Sequence, residues 1–138
     1  MKKINMLSQN IYSKIYNDKF LISGTCLYEL YPDALKRLSK EYDDHVVNIC
    51  LEQFHYNQFF SKLIDILSLG KTKEVGFVTV DGSPHCVSLH YASKYLKRAL
   101  KVDIAYTHYV IDQKGDIYKV ERDIIDNSRI WASNSLKI

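Results

Sequence analysis

Proline and glycine, the residues that most often interrupt helices and strands, are scarce in this sequence. It has two prolines and five glycines among 138 residues, and each of them stands apart from the others. No proline-rich or glycine-rich linker is present, nor any internal repeat or low-complexity stretch. The length is close to the commonest size of one domain. We therefore predict a single domain over residues 1–138.

Long apolar runs are also missing. Two lysines near the N-terminus are followed by an apolar run that Asn5 and Ser8 interrupt, whereas a secretory signal needs about 7–15 continuous apolar residues. No stretch approaches the roughly 18 apolar residues of a membrane-spanning helix. We expect a cytoplasmic protein without a membrane partner.

Neither sign of charge is in large excess. The net charge is +3, and charged residues make up 25% of the chain. Nucleic-acid binding requires basic residues gathered into a patch, but acidic residues are spread through most of this sequence. One predicted helix has a basic row at Lys94, Lys97, Arg98 and Lys101, which we interpret as a solvated face. We expect no nucleic-acid partner.

The apolar residues predict alternating helices and strands. Leu7, Ile11 and Ile15 recur every four residues, which predicts a short accessory helix within residues 1–18. Apolar runs predict strands at residues 20–22, 45–50, 75–80, 104–111 and 117–120, the last two joined as a hairpin across residues 112–116. Amphipathic stripes predict helices near residues 32–42, 54–69 and 87–101. The tail 121–138 gives no clear pattern, and its expected anchors are Ile124, Ile125, Ile130 and Trp131.

Strands that are apolar on both faces and separated by helices indicate a parallel sheet covered on both sides. We predict an α/β fold with three layers, a doubly wound, mostly parallel sheet and an antiparallel edge hairpin. The order of elements resembles that of flavodoxin-like folds, with strands in the order 2-1-3-4. Ligands of such sheets bind at the carboxyl ends of the strands, beside the point where the strand order reverses. The expected ligand-binding residues are Gly24 and Thr25 after the first strand, and Gly82 and Ser83 after the third.

The three cysteines follow the three predicted parallel strands. Cys26, Cys50 and Cys86 should therefore lie along one edge of the sheet. Thiolates and imidazoles are the ligands that zinc and iron–sulfur clusters prefer. We predict a metal or iron–sulfur site with these three cysteines and His85 as ligands. The spacing contains no C-x-x-C pair of the kind usual in structural zinc sites.

Two alternatives remain open at this point. Cys86 falls in the first turn of a predicted helix, where the helix dipole lowers the pKa of a thiol and favours an anion. A thiol enzyme with Cys86 as nucleophile and His85 or His55 as base, or an anion-binding module at the same place, would fit this arrangement. In the other alternative, the cysteines are merely small apolar side chains near the core.

Other polar residues have weaker patterns. Glu52 and Asp81 belong to the same predicted edge, where two carboxylates can serve as general acid and base. We interpret His90 as a surface histidine because it shares the basic face of its helix, and His45 and His108 as packed or edge residues. Five tyrosines of the predicted helices would suit an interface or a planar ligand, namely Tyr12, Tyr16, Tyr28, Tyr31 and Tyr56. The expected partners are a second copy of the chain or a redox partner protein.

Overall fold

The computed structural model describes the backbone of residues 1–138 and all side chains except those of His85 and Cys86. The strands are β1 (Asp18–Gly24), β2 (Val46–Ile49), β3 (Thr72–Val80), β4 (Ala105–Ile111), β5 (Ile117–Val120) and β6 (Leu136–Lys137). The α-helices are α1 (Leu27–Leu30), α2 (Pro32–Ser39), α3 (Tyr56–Ser68), α4 (Pro84–Ala99) and α5 (Arg122–Asn127). Short 3₁₀ helices occur at Lys14–Tyr16, Lys40–Tyr42 and Ala132–Asn134.

All six strands form one sheet in the order β2-β1-β3-β4-β5-β6. The first four strands of this order are parallel, and β5 and β6 are each antiparallel to the preceding strand. The predicted doubly wound α/β fold with an antiparallel edge is thus confirmed. Because the chain passes from β1 to β2 on one side and then to β3 on the other, the strand order reverses at β1.

Alternate residues of the central strands face two separate cores. One core joins Leu21 and Val78 of the sheet to Leu35 and Leu38 of α2. The other core includes Phe20, Ile22 and Phe77 with residues of α3 and α4. The helices cover both faces of the sheet, as the apolar strand sequences predict. None of the helices in the described part of the chain is long and apolar enough to cross a membrane.

The N-terminal segment differs from the predicted accessory helix within residues 1–18. Asn5 forms a parallel bridge with Asn48 at the edge of β2, and the only helical piece of this segment is the 3₁₀ turn at Lys14–Tyr16. Side-chain oxygens of Asn5 and Asn10 accept hydrogen bonds from backbone N–H groups two residues ahead, both at 2.8 Å. These local bonds compete with the helical pattern. The apolar residues with helical spacing still pack against the core, but from an irregular backbone.

The C-terminal tail folds back over the edge of the sheet. Ile125 and Trp131, two of the four expected anchors, are buried with Val110 and Val120. Ile124 packs against the same cluster, but Ile130 is 62% exposed. The tail therefore forms a third small core beside α4, and its last residues add β6 to the sheet.

Candidate functional site at the carboxyl edge of the sheet

The ends of β1 and β2 bring two of the predicted ligand positions to neighbouring places. Gly24 is paired with Ile49 in the parallel ladder. The next amide, that of Thr25, donates a hydrogen bond to the Ile49 carbonyl at 3.3 Å. Cys26 and Cys50 follow directly after these paired residues. The prediction that both cysteines belong to the carboxyl edge is therefore correct at the level of the backbone.

Neither of these cysteines is a core residue. The Cys26 side chain is exposed, and that of Cys50 is partly exposed. Cysteine is among the residue types most often buried. The exposure of Cys26 contradicts the interpretation of that residue as apolar filler, whereas the partly exposed Cys50 leaves this interpretation open.

Local hydrogen bonds hold the two loops in place. The hydroxyl of Thr25 donates to the side-chain oxygen of the buried Asn48 at 2.9 Å. The carbonyl of Cys50 accepts from the amides of Gln53 and Phe54 at 3.2 and 3.0 Å, which closes a tight turn. The backbone around both cysteines is thus well defined by the fold.

The loop after β3 approaches the same edge. The amide of Asp81 donates to the Ile111 carbonyl at 3.0 Å, and Gly82 has a φ of +80° that favours glycine. Ser83 is the N-cap of α4, and Pro84 is its first residue. His85 and Cys86 therefore belong to the first turn of α4. Their side chains lie outside the described part of the structure.

A pocket of about 290 Å³ lies at this edge on the side of α3 and α4. It is lined by Leu51, Glu52, Gln53, Phe54, His55, Tyr56, Pro84 and Ser88. The pocket connects the loop that begins at Cys50 with the first two turns of α4. Two of the three cysteine-bearing segments therefore border one cavity, which we call the edge pocket.

Among the side chains that the structure describes, no three His, Cys, Asp or Glu groups are arranged to hold a metal ion. This finding covers Cys26 and Cys50 of the predicted ligand set. The other two predicted ligands, Cys86 and His85, are the residues whose side chains are not described. The prediction of a metal or iron–sulfur site remains a prediction.

The two carboxylates noted in the sequence line different pockets. Glu52 belongs to the edge pocket, whereas Asp81 lines a cavity of about 360 Å³ that also contains Asp112. Burial raises the pKa of Asp81, and the nearby Asp112 carboxylate adds to this effect. The carboxylate neighbour of Asp81 is therefore Asp112, which the sequence pattern did not indicate.

A further polar cluster lies beneath α4, away from the carboxyl edge. The Thr79 hydroxyl lies 2.8 Å from Nε2 of His90, and Nδ1 of His90 lies 3.0 Å from Nδ1 of His108. Nε2 of His108 is 3.1 Å from the hydroxyl of Ser93. Arg122 donates from Nη1 to the same hydroxyl at 2.8 Å. We call these five residues the histidine cluster.

Burial keeps both histidines of this cluster neutral. Desolvation lowers the pKa of His90 well below its usual range and that of His108 to about 3, and the Arg122 guanidinium adds to both effects. Since two Nδ1 atoms at 3.0 Å can share only one hydrogen, one ring donates and the other accepts.

The interpretation of His90 as a surface residue was wrong, because its side chain is completely buried. The ring of Trp131 from the C-terminal tail lies edge-on to it, with the centroids 5.1 Å apart. The helical pattern of α4 alone could not show that Trp131 from the tail covers His90. The available signal was a histidine in a mostly apolar strand, namely His108 in β4, together with His90 and Ser93 one turn apart on α4.

Comparison with known families gives one result. A family model described as a Rossmann-like domain matches residues 13–137. Comparisons with curated proteins and with solved structures found no significant match. The matched range includes all six strands, the loops after β1 and β2 that contain Cys26 and Cys50, and the histidine cluster.

Proposed function

We propose that this chain, which belongs to the family of Rossmann-like domains, binds a metal ion or an iron–sulfur cluster through cysteine thiolates at the carboxyl edge of its sheet. One observation carries the proposal: the exposed Cys26 and the partly exposed Cys50 follow adjacent parallel strands. Thiols that only fill space belong in the core. Two accessible thiols at the ligand-binding edge of a doubly wound sheet favour a chemical role.

The remaining ligands of the proposal come from α4. Cys86 and His85 belong to its first turn, and Pro84 and Ser88 on either side of them line the same pocket as the loop after Cys50. The positive end of the helix dipole stabilises a thiolate in this turn. Three thiolates and one imidazole form a ligand set that suits zinc, or a cluster with one histidine ligand.

The proposal includes a compartment and a partner. Thiolate ligands require reduced cysteines, which fits the cytoplasm. If His85 does not bind the cluster, three cysteine ligands leave one iron available for an outside ligand. A redox partner protein or a second copy of the chain that covers the exposed Cys26 would supply that ligand or exchange electrons with the cluster.

Metal and acid-labile sulfide analysis tests the proposal. The protein is purified without oxygen, reconstituted separately with zinc and with iron plus sulfide, and desalted. We expect about one zinc ion or one cluster per chain, with a thiolate-to-metal absorption band. Cys26→Ser, Cys50→Ser and Cys86→Ser should each reduce the bound metal about tenfold or more.

His45→Gln is the matched control for His85→Gln. His45 lies before β2, at the opposite edge of the sheet, where its Nδ1 is 3.1 Å from the Lys19 carbonyl. The control should retain the full metal content, whereas His85→Gln should reduce it. Wild-type protein that holds no metal after either reconstitution would overturn the proposal, as would a wild-type metal content in all three cysteine variants.

The edge pocket favours a second candidate, in which Cys86 is a reactive thiol. His55 lines this pocket together with Pro84 and Ser88, so an imidazole borders the same cavity as the first turns of α4. Thiol alkylation of metal-free protein distinguishes the candidates. If Cys86 reacts with iodoacetamide many times faster than the other cysteines, and slows in His55→Gln, the result would support the thiol enzyme. Uniformly slow reaction, or fast reaction only at the exposed Cys26, would exclude it.

A further inference from the structure

The tail, residues 121–138, lies over the histidine cluster and contacts it at two points. Trp131 lies edge-on to the fully buried His90, with the ring centroids 5.1 Å apart. Arg122 donates from Nη1 to the Ser93 hydroxyl at 2.8 Å. We propose that the tail is an acid-sensitive strap: protonation of His90 and His108 releases residues 121–138 from α4 before the sheet unfolds.

The closed cluster cannot hold two added protons. The neutral rings share one hydrogen between their Nδ1 atoms, which are 3.0 Å apart. If both rings were protonated, two N–H groups would face each other there without an acceptor. The Nε2 atoms of the two rings already contact the hydroxyls of Thr79 and Ser93. The doubly protonated pair therefore requires a rearrangement that brings water to the rings.

The charged groups around the cluster oppose even one added proton. Burial is the largest cause of the low pKa values of both rings, and the Arg122 guanidinium of the tail lowers both further. Lys97 of α4 also lowers the pKa of His108, whereas Asp126 of the tail raises it. That carboxylate is already paired with Nη2 of Arg122 at 3.1 Å, and β3 contributes the uncharged Thr79. A proton on either ring therefore repels Arg122, the first residue of α5, and so acts directly on the tail.

Of the elements that surround the two rings, the tail can move with the least loss of structure. The strand β4, which carries His108, lies between β3 and β5, and α4 is anchored in the larger core through Leu89 and Leu96. The tail instead has hydrogen bonds of its own, for example from Nε1 of Trp131 to the Ser128 carbonyl, and it joins the sheet through the two-residue β6. Segments of this kind open locally at a lower free energy than the core strands.

Release of the tail would also open part of the carboxyl edge of the sheet. Ile130, Ala132 and Ser133 of the tail line the cavity of about 360 Å³ that contains Asp81 and Asp112. The Ala132 amide donates a hydrogen bond to the Asp81 carboxylate, in the loop that leads from β3 to α4. The tail thus couples protonation of the histidine cluster to access at the ends of β3 and β4. This coupling does not depend on the proposed thiolate site.

Acrylamide quenching of tryptophan fluorescence between pH 7 and pH 4 tests the proposal, with far-UV circular dichroism measured in parallel. Trp131 is the only tryptophan of the chain, so its fluorescence reports on the tail. A histidine that regains its ordinary pKa of about 6.5 in the open state binds more protons there, which should raise the equilibrium constant for opening about 25-fold per ring between pH 7 and pH 5. We expect Trp131 to become accessible to acrylamide at a pH at which the circular dichroism is still that of the folded protein.

His90→Gln and His108→Gln each remove one site of protonation and keep a side chain that forms hydrogen bonds. Each variant should shift the quenching transition to lower pH. In the matched control His45→Gln, which replaces a histidine bonded to the Lys19 carbonyl at 3.1 Å, the transition should stay at the wild-type pH. A transition that keeps the wild-type pH in both cluster variants would assign the opening to carboxylates such as Asp81 and would overturn the proposal.

Hydrogen exchange of the wild-type protein gives a second readout that needs no variant to fold. The amides of Ile125 and Ser128 are hydrogen-bonded within the tail. At the pH of the quenching transition they should exchange at close to the rate of a free amide, whereas the amides of β1 and β3 should remain protected. Equal loss of protection in the tail and in these strands would overturn the proposal. So would a Trp131 that stays inaccessible until the circular dichroism of the fold is lost.

Discussion

Gly76 lies in the middle of β3, directly beneath the ring of Tyr42. A Cβ at this position would lie 2.5 Å from both Cζ and the hydroxyl oxygen of Tyr42, and 2.9 Å from Cδ1 of Leu21. Tyr42 is 1% exposed, and its hydroxyl is hydrogen-bonded to that of Tyr109 at 3.0 Å. The ring is therefore held in place and cannot give way easily.

We expect Gly76→Ala to lower the free energy of unfolding by about 1–3 kcal/mol, because the new methyl group overpacks the core. Urea denaturation measures this loss. In a double-mutant cycle with Tyr42→Ala, the double variant should lose less stability than the sum of the two single variants. Simple additivity would contradict the close approach of the two residues.

The buried histidines make stability depend on pH. In the unfolded chain a histidine takes up a proton below about pH 6.5, whereas folding lowers the pKa of His90 strongly and that of His108 to about 3. The unfolded state therefore binds more protons, and the free energy of unfolding falls as the pH falls from 6.5 toward 3. Each histidine contributes a slope of up to about 1.4 kcal/mol per pH unit.

Urea unfolding at several pH values between 6.5 and 4.5 should show this slope. Asp81, whose pKa is raised, acts in the opposite direction, whereas Asp44 and Asp112, whose pKa values are lowered, act in the same direction as the histidines at the acid end of this range. His108→Gln should reduce the slope of the free energy of unfolding against pH by up to about 1.4 kcal/mol per pH unit, whatever its effect on stability at pH 7. If the free energy of unfolding of the wild-type protein did not change over this pH range, His90 and His108 would not be buried as neutral rings.

At the level of elements, the hairpin between β4 and β5 depends on one side chain. Oδ1 of Asp112 accepts hydrogen bonds from the amides of Lys114 and Asp116 at 3.0 and 2.9 Å. Its Oδ2 accepts one from the Tyr118 hydroxyl at 3.2 Å. Side chains that accept backbone hydrogen bonds in this way fix the shape of a turn.

We expect Asp112→Ala to lower the free energy of unfolding by about 1–2 kcal/mol, and Asp112→Asn, which keeps the turn acceptor, to lower it by less. The alanine variant should also lower the pKa of Asp81, because the neighbouring negative charge that raises it is gone. Urea denaturation and carboxyl NMR titration measure the two effects. Equal losses in both variants would mean that the turn does not depend on the Oδ1 acceptor.

Elements that are buried on both sides were predictable from the sequence, and elements that depend on distant chain segments were not. Residues 20–22 and most of residues 75–80 are apolar because both faces of the sheet are covered, and they belong to β1 and β3. The two-residue strand β6 is exposed and has no such pattern. The N-terminal segment has a helical spacing of apolar residues, but local hydrogen bonds from Asn5 and Asn10 override it.

The same distinction applies to the sites. Cys26 and Cys50 belong to the carboxyl edge as predicted, because the carboxyl ends of parallel strands all lie at one edge of a sheet. The histidine cluster instead depends on the fold of the C-terminal tail over α4. No short-range pattern relates His90 to Trp131, which are 41 positions apart in the sequence.

On the scale of the whole molecule, Trp131 joins the tail to the doubly wound core. It is 5% exposed, its indole lies edge-on to His90, and its Nε1 donates to the Ser128 carbonyl at 2.9 Å. Ile125 is buried in the same small core. The tail therefore contributes both to stability and to the burial that keeps His90 neutral.

We expect Trp131→Ala to lower the free energy of unfolding by about 3–5 kcal/mol, and Trp131→Phe, which retains a ring beside His90, to lower it by less. Loss of the indole admits water to His90 and raises the pKa of that residue toward its ordinary value. The slope of stability against pH between 6.5 and 4.5 should then decrease in Trp131→Ala and change little in Trp131→Phe. Urea unfolding measures both quantities. If the alanine variant were destabilised but kept the wild-type slope, the tail would stabilise the fold without controlling the protonation of the histidine cluster.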